Sequence, residues 1–230
     1  MLKADFHIHS RYSFDSSNDL EAIIRRCQKT GINCVAIADH GTAEGGLRLK
    51  EIAPFKVIVA EEILTPHGEI MGMFLKETVP TNISIQEAIA RIREQDGLVC
   101  VPHPFDIITR IGLGGTIMEQ IVDQIDIIEV FNARSPIPCR SSRALAFANR
   151  HNLVKSAGSD AHTISEIGKT YVEMPDFESK GDFLAALRQG VIHRHMASPF
   201  VHFSSVKARF LRLMSRKDRM DSRGRKTSLE

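Results

Sequence analysis

The sequence contains no uninterrupted apolar run approaching the roughly 20 residues that a membrane-spanning helix needs. It has no secretory leader pattern either, because Asp5, His7 and His9 break up what would be its apolar stretch. These two absences predict a cytoplasmic chain. Cysteine is scarce: Cys27, Cys34, Cys100 and Cys139 show no close paired spacing, which argues against a disulfide framework. They fall in two predicted strands and two predicted helices and read as buried thiols. Residues 1–203 contain no repeat of fixed period and no low-complexity segment.

Net charge is small at +2, and its distribution says more than its size. Nine Lys or Arg face three acids from Lys207 to Glu230, so this stretch carries +6 and the remainder −4. A mildly acidic body argues against nucleic acid bound along a basic surface and suits a site holding several cations. The chain divides into a barrel-sized body, 1–203, and a basic tail, 204–230. In the tail Val206, Phe210, Leu213 and Met214 share one face of a short helix that packs on the body or, alternatively, anchors the chain to nucleic acid, an anionic membrane surface or an acidic partner.

Short β-rich apolar runs alternate with helical patterns, the signature of repeated βα units around a parallel sheet. Strands are predicted at 4–9, 34–39, 57–62, 69–75, 98–103, 125–132 and 154–159. The first helix has Asn18 as its N-cap and Gly31 as its stop; the second has Ser84 with Glu87 as a capping pair and ends at Gly97. Helices are also predicted at 140–151 and 180–189. Loops are predicted at Gly41 to Glu51 and at Thr109 to Gly115, the latter leading into a short helix.

Nearly every metal-ligand residue type falls at or just past the end of a predicted strand: His7 and His9, Asp39 and His40, Glu62, His103, Asn132, then Asp160 and His162. In a parallel α/β barrel these ends converge on one face, where loops build active sites. His7 and His9, two apart, point the same way, and Asp160 with His162 repeats that spacing. Imidazole mixed with carboxylate suits Mn, Zn or Fe more than Ca or Mg. About eight donors predict two or three such divalent ions, close enough to share Glu62 and to activate a bridging water as hydroxide.

The runs Asp5-Phe-His7-Ile-His9-Ser, Ala38-Asp39-His40, Ala60-Glu61-Glu62-Ile, Pro102-His103-Pro104, Glu129-Val-Phe-Asn132 and Gly158-Ser-Asp160-Ala-His162 together resemble the polymerase and histidinol phosphatase (PHP) domain family over roughly the first 170 residues. The resemblance implies an α/β fold, a distorted (β/α)7 TIM-like barrel with its active site at the C-terminal ends of the strands. It implies hydrolysis of a phosphomonoester, nucleotide or related small-molecule phosphate ester. His7, His9, Glu62 and Asp160 would hold one ion, Asp15, His40 and His162 a second, and Glu62 with His103 would reach a third. Two positions depart from many relatives: Glu69 stands where they place a His after the bridging Glu, and Asn132 where some offer His or Cys. Ligation of a third ion is therefore expected to be richer in oxygen.

Glu62, His103, Asp160 and Arg134 are the residues expected to carry catalysis. Arg134 has the chemistry to grip a phosphate bidentately, or else is a surface arginine. Arg11 has a similar case. Asp39 ligates directly or orients a ligating His. His67 replaces the missing ligand if its turn folds inward, and otherwise is exposed. His193 and His195 read as surface or tail-packing residues, and His151 and His202 are given no functional role.

Two other functions remain as alternatives. An amidohydrolase-like C–N or C–O hydrolase would call for a carboxylatable Lys at a strand end, and Lys155 instead opens its strand. A non-catalytic metal-binding regulatory module would show degraded ligand motifs. The loops offer no decodable pocket, so a small nucleotide or general phosphate ester suits this short chain better than histidinol phosphate.

Overall fold

The computed structural model describes residues 1–106, 112–135 and 137–197. Along the chain it forms β1 (Leu2–Ile8), α1 (Leu20–Thr30), β2 (Cys34–His40), α2 (Glu44–Ile52), β3 (Lys56–Thr65) and β4 (Gly68–Met73). Then follow α3 (Ile85–Glu94), β5 (Leu98–Val101), α4 (Gly114–Gln120), β6 (Ile127–Asn132), α5 (Pro138–Arg150) and β7 (Val154–Gly158). β8 (Tyr171–Met174), α6 (Lys180–Arg188) and β9 (Val191–His193) complete it. The basic tail, with the proposed helical face of Val206 to Met214, lies outside the described residues.

All nine strands join one sheet in the order β7-β6-β5-β4-β3-β2-β1-β8-β9. The β1–β2, β2–β3, β5–β6 and β6–β7 pairs are parallel, as the βα pattern requires. The parallel run of the βα pattern is interrupted at β4, which runs antiparallel to both β3 and β5 because only the turn Thr65 to Gly68 separates it from β3. A parallel partner would need a crossover of a dozen or more residues. β8 and β9, absent from the predicted elements, add antiparallel at the other side.

The sheet curls until its ends nearly meet. β8 pairs with Leu2, Lys3 and Ala4, the first half of β1. The second half of β1 lies against β7: Ile8 bridges to Ala161, and His9 N donates to Ala161 O at 3.0 Å. A side chain at Gly158 would place its Cβ 2.3 Å from that of His7, so this approach requires glycine. The result is a nearly closed, distorted barrel.

An irregularity in the β1–β2 register lies between Asp5 and Ile8. Leu2, Ala4 and Phe6 join the inner cluster with Ala36, Ala38 and Ala60, whereas Ile8 joins the outer cluster under α1. A bulge of this kind shifts the alternation by one residue, so the interior turns from apolar to polar between Phe6 and His7. Below that level the barrel is filled by aromatics, with Phe183 of α6 edge-on to Phe6 at 5.6 Å and to Phe177 at 5.0 Å.

Two local predictions are corrected. The N-cap of α1 is Asp19, with no side-chain capping bond. Asn18 is buried and its amide donates to His9 O at 2.9 Å and Ala161 O at 3.2 Å, tying the barrel seam together instead. The loop predicted at 41–51 contains α2. Its glycines weaken the helical pattern in sequence, yet they are what let it dock, since a Cβ on Gly46 would lie 3.1 Å from Val59 Cα. Of the cysteines, Cys27, Cys34 and Cys100 are buried and free, but Cys139 is exposed on α5. Burial pushes the Cys27 and Cys34 thiols up to about 12.

The seam yields a test. Gly158→Ala forces β1 and β7 apart, and the urea midpoint is expected to fall by the equivalent of about 1–3 kcal/mol, the usual cost of overpacking.

Candidate metal centre

The barrel end above Phe6 gathers an unusual set of buried groups. His7, His9, Glu62, Glu69, His103, Glu129 and His162 are all buried, and His40, Asp15 and Asp160 nearly so. Glu69 reaches this end because β4 is antiparallel: its first residues lie where its neighbours' last ones do, with Glu69 opposite Leu64. His103 and Asp160 follow their strands with φ of 26° and 53°, in the left-handed region that non-glycine residues avoid. Strain of this kind persists only where surrounding structure fixes it.

Glu62 is at the centre. Its Oε1 lies 2.9 Å from His103 Nε2 and 3.2 Å from His7 Nε2, and its Oε2 lies 3.3 Å from His40 Nδ1 and 3.4 Å from His9 Nε2. His7 Nε2 and His9 Nε2 approach each other to 3.2 Å, and both face Asp160 Oδ1, at 3.7 and 3.1 Å. On the far side Asp15 Oδ2 is 3.1 Å from His162 Nε2 and 3.5 Å from His40 Nε2. His40 Nδ1 is 3.1 Å from Glu69 Oε1, and Glu69 Oε2 is 3.8 Å from His103 Nε2.

These separations fit cations. Donors about 2.0–2.1 Å from a tetrahedrally bound ion stand about 3.3 Å apart from one another. Four overlapping groups meet the requirement of mutual proximity: His9, Asp15, His40 and His162; His7, Glu62 and His103; His7, His9 and Asp160; and His40, Glu62 and Glu69. Tautomers lead to the same result. His7 Nδ1 faces Glu129 Oε1 at 3.1 Å and His162 Nδ1 faces the Asp160 carbonyl oxygen at 2.9 Å. With the ring protons at those nitrogens, each Nε2 turns a lone pair toward a carboxylate, a repulsive contact unless a cation or a second ring proton lies between.

Titration behaviour follows the crowding. Burial works against the charge of Glu62, but the surrounding His7, His40 and His103 hold its carboxyl well below the usual range. Burial lowers His103, yet the hydrogen bond and charge of Glu62 bring it up to about 9. Burial and the neighbouring His162 push His9 down to about 3. Glu62 and its neighbours therefore hold His7, His40 and His103 protonated where no ion binds, against the burial that would lower them.

The remaining predicted residues separate clearly. Asn132 donates to Glu129 Oε2 at 3.0 Å and to Asp160 Oδ2 at 3.2 Å, so it orients acids at the rim of the cluster. Asp39 belongs to none of the four groups: it accepts from Ser10 N and Ser10 Oγ, both at 2.6 Å, and fixes the loop that carries Asp15. His67 is exposed in the β3–β4 turn and belongs to none of the four groups. Arg134 is buried with Nε 3.4 Å from Glu166 Oε1. Glu166 in turn accepts from His162 N, Thr163 N and Thr163 Oγ1, so the arginine supports the turn that presents His162. Arg11 is paired with Asp19 at the surface. His193 stacks on Tyr171 and pairs with Glu173, far along β9, and His195 gives its carbonyl to Thr170.

Glu129, Asp5 and Glu166 were missed as functional positions. Glu129 supports His7, His103 N and Asn132 together. Asp5, which burial pushes up to about 6, accepts from Ser159 N and Gly168 N and anchors the segment before Asp160. The available signal was that the first two are acids inside apolar strands, where an unpaired charge is costly.

Residues 5–101 match the family model described as the PHP domain, and residues 141–192 the one described as PHP-associated. An uncharacterized protein of Methanocaldococcus jannaschii is 35% identical over 201 residues, covering 81% of this chain and 79% of its own length. Among solved structures, a two-domain protein from Bacteroides vulgatus containing a predicted PHP-like metal-dependent phosphoesterase superposes with a TM-score of 0.68 at 17% identity, over 84% of this chain. This chain spans 65% of that protein's length. PsfC from Pseudomonas syringae gives 0.66 at 16% identity, over 91% of this chain and 98% of its own. At such identities the likeness is one of fold.

Glu129→Ala is expected to leave His7 unoriented and His103 N without its acceptor. Chelator competition should show divalent-ion affinity reduced about 10–100-fold, as for other lost supporting carboxylates.

Proposed function

Since the chain belongs to the PHP domain family, we propose that it is a metal-dependent phosphoesterase that hydrolyses a phosphomonoester or nucleotide at the barrel mouth. The observation that carries this reading is the convergence of four donor groups on Glu62 and its neighbours. By this reading residues 1–203 make up the catalytic unit. His7, His9, Glu62 and Asp160 would hold one ion and Asp15, His40 and His162 a second. Glu62, Glu69 and His103 would hold a third, with carboxylate oxygen predominating as the departure at Glu69 suggests. The mixed nitrogen and oxygen set suits Mn, Zn or Fe.

Such ions supply an activated water and neutralise charge on a phosphoryl group. The chain's own part is positioning. Glu62 would offer Oε1 on the side of His7 and His103 and Oε2 on the side of His9 and His40. Glu129 and the Asp160 carbonyl keep protons on the outer nitrogens of His7 and His162, so the inner ones stay available. Asp39 and Asn18 hold the loop bearing Asp15, and Arg134 acts through Glu166 on His162 rather than as an exposed phosphate clamp. Lys155, the lysine weighed for an amidohydrolase-like site, stands second in β7 and so at the opposite end of that strand from Gly158, which favours this reading over the amidohydrolase-like one.

Titrating metal-free protein with Mn²⁺ or Zn²⁺ is expected to bind two to three equivalents and raise the melting temperature. His7, His40 and His103 are held protonated by their carboxylate neighbours, so binding at neutral pH should release protons. The calorimetric enthalpy will then vary with the ionisation enthalpy of the buffer. A phosphate-release screen over phosphomonoesters and nucleotides tests the reaction itself. A silent panel with the ions bound sinks the phosphoesterase reading, and His9→Ala should lose both metal and activity.

A further inference from the structure

By the phosphoesterase reading the donor cluster receives only the phosphoryl end of a substrate. The other end would meet the rim of the barrel mouth, where two large apolar side chains stand in water: Phe14 is 46% exposed and Leu64 41%. Apolar residues scattered singly over a surface need no explanation, but both of these border the same donor, His40. The Phe14 ring lies 5.1 Å from the His40 ring and is inclined to it at 31°. Leu64 stands two residues past Glu62 and pairs opposite Glu69. Strand alternation therefore sends its side chain to the face of the sheet that those two carboxylates use, and they lie 3.3 and 3.1 Å from His40 Nδ1. Ile63, between them, turns the other way into the outer core.

The loop sets Phe14 in place. Ser13 N donates to Ser10 O at 3.1 Å, Ser13 Oγ to Asp15 Oδ1 at 2.8 Å, and His40 N to Ser13 Oγ at 3.4 Å. Asp15 in turn faces His162 and His40 through Oδ2. The residues before and after Phe14 are thus both anchored to the site, and the ring between them is a preset apolar surface beside a donor. Such a surface gives little to a polyol, whose hydroxyls are better served by water, and gives a planar ring a partner on which to stack.

We propose that Phe14 and Leu64 seat an aromatic ring of the substrate, carried by the leaving half of the ester, so that the substrate class is an aryl or nucleoside phosphate and not a polyol phosphate. This rests on the phosphoesterase reading and narrows it.

The first experiment reads binding without turnover, by calorimetry on the full chain loaded with Mn²⁺, using methylphosphonate and phenylphosphonate, which differ by the ring and carry no ester to hydrolyse. Phenylphosphonate is expected to bind about tenfold tighter, the scale of one aromatic stack with its buried area. Phe14→Ala should bring that ratio close to one, and Phe14→Tyr should keep it. Leu64→Ala should lower it about threefold, and keeps the test valid if Phe14→Ala loses its ions. If Phe14 serves only to cover His40, its removal moves both phosphonates alike and the ratio stays, which overturns the proposal. A ratio near one in the parent chain also overturns it while leaving the phosphoesterase reading intact. If neither phosphonate binds with the ions in place, that reading falls and the seat with it.

The second experiment separates the two sources of the ring by turnover of phenyl phosphate, a nucleoside monophosphate and glycerol phosphate. Phenol leaves more readily than an alkoxide, so the quantity compared is the loss caused by Phe14→Ala. About a tenfold loss in kcat/KM, mainly through KM, is expected for a ring-bearing ester, the larger loss naming the source, with little loss for glycerol phosphate. Equal losses on all three esters overturn the proposal.

Discussion

The close approach of β1 to β7 is the constraint on which the rest depends. It exists because Gly158 has no Cβ to meet that of His7, and Asn18, Asp5 and the Ile8–Ala161 bridge secure it from three directions. Closing the barrel there brings the first histidine pair against Asp160 and His162, residues some 150 positions later. A wider seam would break the two donor groups that join His9 to Asp160 or to His162.

Crowding then sets the chemistry. Several carboxylates and imidazoles share one desolvated end of the barrel, where unpaired charge is expensive. Protons on His7, His40 and His103 relieve that expense in the metal-free chain, and cations relieve it when bound. Hydrogen bonds from outside the cluster remove the remaining freedom: Glu129 on His7, Asn132 on Asp160, Asp39 on Ser10 and Glu166 on the turn at His162. The same arrangement accounts for Arg134, whose position near the mouth suggested a phosphate ligand and whose burial beside Glu166 gives it a supporting task.

Much of this was legible along the chain because ligands in a parallel barrel recur at strand ends. His7, His9, His40, Glu62, His103, Asp160 and His162 were readable for that reason. Asp15 came from family resemblance, since a loop has no periodicity to mark its ligands. The antiparallel β4 was not foreseen, because a run of apolar residues carries no sign of direction. Its turn, Thr65 to Gly68, was too short for a crossover and was the one available clue. Helix α2 was hidden by Gly45 and Gly46, whose poor helix propensity is outweighed by their fit against Asp39 and Val59.

The sequence alone determined the kinds of donor present, their order and the strand ends that bring them to one face, because those depend on local patterns of alternation and on residue chemistry. Only the tertiary structure decided which donors stand close enough together to share an ion. That depends on a bulge after Asp5, the reversed direction of β4 and a glycine-sized gap at the seam, and each of these acts through contacts between segments far apart in the chain.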